Sequence, residues 1–126
     1  METWKDLSTD SRDAAQHLLT EGRWRSSVSR SYYAAYAAVT AELVARKVTF
    51  PLARGNPDHH SLPKNIREDL TRIPITRRRD LSHIILRLRA ARIEADYMPV
   101  STVGRDQAVE AMRDMKRLLW VLEDRK

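Results

Sequence analysis

The stretch SYYAAYAAV, Ser31–Val39, is the strongest indicator of how this chain folds. Wound into a helix, it is apolar on almost every side, and such a helix must be buried on more than one side. Its alanines let neighbouring helices approach closely. We therefore predict that the helix containing it, over about residues 24–47, lies inside a helical bundle.

The segments on either side of this helix have helical periodicity and are separated by glycine and proline. Gly22 is a natural end for the first helix, because glycine adopts the left-handed conformation without a steric cost. Pro51, Gly55 and Pro57 mark a loop, and no segment alternates as a strand does. We predict an all-α fold, a single domain over residues 1–126 with four main helices and a short helix before the third. The predicted bounds are 4–21, 24–47, 62–73 for the short helix, 76–97, and 102 almost to the C-terminus.

The composition narrows the class of protein. The chain has no cysteine, which excludes disulfides and thiolate metal sites. It has no apolar run long enough to span a membrane, and its first ten residues, METWKDLSTD, do not resemble a secretory signal. We therefore expect a cytoplasmic protein. The net charge of +6 favours contact with nucleic acid or another polyanion. Arginine far outnumbers lysine, however, and this excess can reflect genome composition instead of a ligand.

Arg92 is the most informative residue of the predicted third main helix. On a helical wheel it lies about 20° from Leu81, in the middle of the apolar stripe, and Asp96 lies one turn later at the edge of that stripe. A guanidinium that faces a core is costly unless it is paired. Two interpretations follow. In the first, Arg92 and Asp96 form a structural ion pair. In the second, Arg92 lines a cleft and binds a phosphate, and Asp96 orients the guanidinium.

Other polar residues give weaker signals. His59 and His60 are adjacent in the loop without a third ligand, so no metal or cofactor is predicted, and His60 is a candidate general base only if the loop folds over a cleft. Arg30 lies near the tyrosines of the second helix, where it either stacks on a ring or reaches solvent. The run Arg77–Arg79 lies at the unfavourable end of a helix dipole, which points to an anionic partner, although a charge run is more often a solvated face.

Two stretches carry a family resemblance. RSSVSRSYYAAYAAVTAELVARK, residues 25–47, resembles the second helix of HEPN domains (higher eukaryotes and prokaryotes nucleotide-binding). RIEADY, residues 92–97, resembles the signature of a bacterial and archaeal branch in which a histidine-serine pair, here His60-Ser61, follows the second helix. The resemblance implies a bundle of four or more helices that often dimerises. It also implies RNA or nucleotides as ligands, and a metal-independent endoribonuclease in many members. Many members act as toxins beside a nucleotidyltransferase-like antitoxin, or in antiviral defence.

The sequence departs from the nuclease motif that the resemblance implies, an arginine followed after four to six residues by histidine. Past the four residues that follow Arg92, the position is occupied by Tyr97 instead, and no histidine follows within the allowed spacing. Arg92 can stabilise the charge of a phosphorane, but tyrosine is a poor base at neutral pH, which leaves Asp96 and His60 as the other candidates. Two hypotheses remain open: a protein that binds or cleaves RNA or nucleotides in a toxin–antitoxin or defence module, and a non-catalytic module that binds a nucleotidyltransferase-like partner. We also predict a homodimer, because the second helix has more apolar surface than one bundle core should need.

Overall fold

The computed structural model describes residues 2–123. This part of the chain folds into five α-helices and one short 3-10 turn, without a strand. The prediction of an all-α fold with four main helices and a short one before the third is confirmed. The elements are α1 (Trp4–Thr20), α2 (Trp24–Ala45), the 3-10 turn (Pro51–Ala53), α3 (Leu62–Asp69), α4 (Ile75–Tyr97) and α5 (Arg105–Leu122).

Helix α2 is the central element, as its sequence predicts. It packs against α1, α4 and α5, and more lightly against α3. Tyr32, Ala35 and Val39 are fully buried on it. Close approach to α1 is visible in two buried hydrogen bonds, from the Ser8 hydroxyl to the Ala34 carbonyl (2.7 Å) and from the Ser27 hydroxyl to a carbonyl of α1 (2.9 Å). Because the chain's own helices cover this apolar surface, the surface alone does not call for a second copy, and the homodimer stays a prediction from the resemblance.

Two helices end in the same left-handed turn, with different residues. Gly22 follows α1 with φ +76°, and the N–H groups of Gly22 and Arg23 donate to the carbonyls of Leu19 and Leu18. This is a Schellman arrangement, and it confirms the left-handed helix end predicted at Gly22. After α2 the equivalent position is taken by Lys47 with φ +62°, a conformation that costs a residue with a Cβ more than it costs glycine.

Helix α3 is shorter than predicted, ending at Asp69 instead of near residue 73. The physical reason lies in the next helix. Arg78 donates from Nη1 to the Arg67 carbonyl (2.6 Å), which a longer helix would have used itself, and from Nε to the Ile73 carbonyl (2.8 Å). One member of the basic run at residues 77–79 is therefore a structural residue.

No helix within residues 2–123 is long and apolar enough to cross a membrane.

Candidate functional site

Arg92 lies near the end of α4 and is almost buried, with 12% of its side chain exposed. Its Nη1 donates to the Tyr33 hydroxyl at 2.7 Å. The guanidinium also lies over three tyrosine rings, at 5.4 Å from the centroids of Tyr32 and Tyr33 and at 5.6 Å from that of Tyr97. The inward position predicted from the helical wheel is confirmed.

The carboxylate one turn away is a distant partner. Arg92 Nη1 and Asp96 Oδ2 are 4.0 Å apart, and Asp96 accepts a hydrogen bond from the Ser29 hydroxyl at 3.2 Å. Arg92 Nε is buried without a hydrogen-bond partner. Burial alone lowers the pKa of Arg92, but the hydrogen bond with Tyr33 and the other neighbours outweigh it, so the pKa is raised. Arg92 is therefore a fixed cation with unused hydrogen-bonding capacity.

His59 belongs to the same aromatic cluster although it comes from the loop before α3. Its ring centroid lies 4.6 Å from that of Tyr36 and 5.5 Å from that of Tyr32, and its Nδ1 is 2.5 Å from the Tyr32 hydroxyl oxygen. The loop is tied to α2 through Tyr36, whose hydroxyl donates to the Pro57 carbonyl (2.5 Å) and accepts from Asn56 Nδ2 (2.8 Å). The tyrosines of α2 thus place both His59 and Arg92.

The electrostatics of the cluster keep His59 uncharged. Burial lowers the pKa of His59, and the positive charges of Arg92 and Arg89 lower it further. Burial also raises the pKa of Tyr32, so that its hydroxyl stays protonated. At neutral pH the site therefore presents a neutral imidazole beside a permanent cation.

The matching family model is that of the HEPN domain, and it covers residues 1–125. The chain belongs to the HEPN family. No curated protein and no solved structure matches it.

Arg92 is the residue that the resemblance aligns with the arginine of the nuclease motif, and the structure brings two of the other predicted site residues to it. Asp96 and Tyr97 lie beside the guanidinium. His60 does not join the tyrosine cluster, because its side chain is exposed.

Sequence reasoning missed His59, which is in the cluster where its neighbour is not. No local signal distinguishes two adjacent histidines in a loop, because the distant contacts of Tyr36 fix which imidazole turns inward. It also missed Tyr33 as the main hydrogen-bond partner of Arg92. The two alternatives for Arg30 are resolved, since its guanidinium lies 5.0 Å from the Tyr33 centroid and stacks on that ring.

Positive charge exceeds negative charge around the tyrosine cluster that holds Arg92 and His59. Arg30 stacks on Tyr33, Arg92 lies between the rings, and Arg89 is close enough to depress the pKa of His59. The acidic neighbour of Arg92 is Asp96. Within residues 2–123 no group of three or more His, Cys, Asp or Glu side chains is arranged to hold a metal ion. The chemistry these side chains can support is anion binding, and proton transfer at an imidazole.

Proposed function

We propose that this HEPN protein binds the phosphodiester backbone of RNA at Arg92 and cleaves it without a metal, with His59 as the general base. The observation that carries the proposal is the meeting of an almost buried guanidinium and a neutral imidazole in one tyrosine cluster. Metal-independent cleavage of RNA needs these two functions, a base for the 2′-hydroxyl and a cation for the developing charge on phosphorus.

The charge around the site supports an anionic ligand. A guanidinium has five N–H donors, and Arg92 uses one of them on Tyr33 while its carboxylate neighbour lies 4.0 Å away. A phosphate oxygen would supply the acceptor that the protein does not, and Arg30 and Arg89 add to the attraction. Asp96, held by Ser29, orients the guanidinium in this proposal.

The hydrogen bond between His59 and Tyr32 supports the role of a base. A base acting through Nε2 needs its proton on Nδ1, and the Tyr32 oxygen lies where it can accept that proton's hydrogen bond. Because the pKa of His59 is lowered by burial and by neighbouring arginines, the imidazole is unprotonated at neutral pH. Tyr32 would act as a positioning residue that fixes the orientation of the imidazole.

The proposed reaction is a transesterification. His59 takes the proton of the 2′-hydroxyl, and the 2′-oxygen forms a bond to phosphorus while Arg92 stabilises the added charge. The bond from phosphorus to the 5′-oxygen then breaks, and that oxygen receives a proton from the imidazolium or from water. The products are a 2′,3′-cyclic phosphate and a 5′-hydroxyl.

The test compares RNA cleavage by the native protein with cleavage by His59→Gln, His60→Gln and Arg92→Met in the presence of EDTA. We expect His59→Gln and Arg92→Met each to lower the rate by roughly a hundredfold or more, the usual contribution of a general base or a charge stabiliser. His60→Gln is the matched control, since it removes the adjacent, exposed imidazole. Equal cleavage by the His59→Gln and native proteins, or equal loss in both histidine variants, would refute the assignment of the base.

We propose in addition that the protein acts in a toxin–antitoxin or antiviral defence module, in the cytoplasm, as a homodimer and beside a nucleotidyltransferase-like antitoxin. The HEPN family membership supports this setting. Arrest of growth on expression of the native protein, with relief by Arg92→Met, is the expected result.

A second candidate function is that of a non-catalytic module that binds the nucleotidyltransferase-like partner. The small exposed fraction of Arg92 and its three stacked rings favour this alternative, because they also suit a structural arginine. Native protein that binds such a partner but neither binds nor cuts RNA would establish it.

A further inference from the structure

Tyr97 is the exposed member of the tyrosine cluster. It is the last residue of α4, and 67% of its surface is accessible, whereas Tyr32 is fully buried and Tyr36 nearly so. One side of its ring is directed at the Arg92 guanidinium, 5.6 Å from the ring centroid. The packing of the bundle does not explain a large aromatic ring held half out of the protein beside a buried cation.

The backbone that carries Tyr97 is held by Arg25, which reaches across from the first turn of α2. Its guanidinium donates to carbonyls on both sides of the ring, those of Ala95 (2.9 Å) and Met98 (2.7 Å), with a weaker bond to Glu94 (3.4 Å). Two more hydrogen bonds fix the turn that follows, to the Pro99 carbonyl (3.1 Å) and the Ser101 hydroxyl (2.7 Å). The ring is therefore exposed on a fixed backbone, so little conformational freedom is lost when a ligand packs on it.

We infer that Tyr97 is a stacking platform for the base next to the phosphate at Arg92, and that the site therefore takes single-stranded RNA. This inference rests on the proposed function, which puts a phosphate on Arg92. One ribose separates a base from its phosphate, so a phosphate at the guanidinium leaves the flanking base within reach of the ring. Aromatic side chains beside cationic grooves bind unpaired bases in this way, whereas the bases of a duplex are stacked on each other and unavailable.

The charge of the surroundings favours RNA over a protein as the occupant. Arg30, Arg89 and Arg92 surround the tyrosine cluster, and this excess of positive charge suits a polyanion. Met98 and Val100 are also exposed in the following turn. If they belong to a protein interface, Tyr97→Ala should change self-association instead of RNA binding, and the test below includes that outcome.

The test measures binding by fluorescence anisotropy at one fixed salt concentration. The probes are a 2′-O-methyl RNA oligonucleotide, which has no nucleophile and cannot be cleaved, the same strand in a duplex, and an abasic strand of the same charge. The proteins are the native chain, Tyr97→Ala, Tyr97→Phe and Arg92→Met. We expect Tyr97→Ala to weaken binding of the single strand by roughly five- to hundredfold, the range of one base stacked on one aromatic ring, and to leave duplex binding unchanged.

Two further results are expected from the same set. Tyr97→Phe keeps the ring and should bind the single strand like the native protein, and the abasic strand should bind native protein as weakly as the full strand binds Tyr97→Ala. Unchanged binding by Tyr97→Ala, or an equal loss for single strand and duplex, would overturn the inference. A change in self-association of Tyr97→Ala with RNA binding intact would overturn it too, by assigning the ring to a protein interface.

Arg92→Met distinguishes this inference from the proposed function. If it weakens binding of both strand forms while Tyr97→Ala changes neither, the phosphate site stands and the stacking platform falls. If Arg92→Met also leaves binding intact, the proposed function falls and the inference falls with it.

Discussion

The stability of Arg92→Met shows whether Arg92 serves binding or stabilises the fold. Methionine retains the apolar stem of the side chain and can pack its sulfur against the three tyrosine rings, but it removes the charge. The side chain is 12% exposed, so nearly all of the exchange takes place inside the protein.

The contributions to stability nearly cancel in this site. The native cation gains about 1.5–3 kcal/mol from its hydrogen bond to Tyr33. Stacking on three rings adds roughly 0.5–1 kcal/mol each. Against these stand a burial penalty of several kcal/mol and an unpaired Nε–H that costs about 1–3 kcal/mol, with a carboxylate no nearer than 4.0 Å. We therefore expect the free energy of unfolding of Arg92→Met to lie within about 1.5 kcal/mol of that of the native protein.

A structural arginine predicts a different result. Breaking a well-formed buried ion pair costs about 3–5 kcal/mol, which would move the urea midpoint by more than about 1 M for a chain of this size. Urea unfolding followed by circular dichroism measures the difference, and Arg89→Met, a half-buried neighbour on the same helix, is the matched control. A loss above about 3 kcal/mol in Arg92→Met, with the control within about 0.5 kcal/mol of native, would show that Arg92 stabilises the fold, contrary to this prediction.

Two further predictions concern backbone strain and pH. Lys47→Gly should raise the free energy of unfolding by about 0.5–1 kcal/mol, because φ +62° after α2 suits glycine, and Lys47→Ala should bring no gain in the same thermal melts. His59 should make stability fall as pH is lowered. The unfolded histidine takes up a proton near its usual pKa of 6.5, and the folded one does so only at a lower pH, so protons favour unfolding from about pH 6.5 down through the lowered pKa. His59→Gln should flatten this slope in urea unfolding between pH 7 and 5, and His60→Gln should not; equal slopes in the native and His59→Gln proteins would contradict the burial of the imidazole.

Local patterns were enough to predict the helices and some of their ends. The apolar wheel of Ser31–Val39 predicts burial on several sides because helix geometry is set by neighbours along the chain. Gly22 predicts a turn because glycine adopts a positive φ without the steric cost of a Cβ. Residues 70–73 were predicted as helix and are not. The side chain of Arg78 holds that turn from the following helix, and no pattern within α3 contains this contact.

The same division explains what could be predicted of the site. Arg92, Asp96 and Tyr97 share one helix, so their common surface follows from a spacing of 3.6 residues per turn. His59 comes from a loop whose direction depends on hydrogen bonds of Tyr36 to Pro57 and Asn56.

A motif that requires histidine after arginine, with four to six residues between them, is not met by this chain, because the histidine of the cluster lies on another element. The imidazole of His59 precedes Arg92 in sequence, and the fold brings both side chains to Tyr32. Arginine and histidine can be brought together by one helix or by two elements that share a tyrosine cluster. The proposed chemistry depends on their proximity in space and not on their spacing in the sequence. The Tyr97 found where the motif expects histidine then has no proton to take, and in our proposal its ring is free to bind a base.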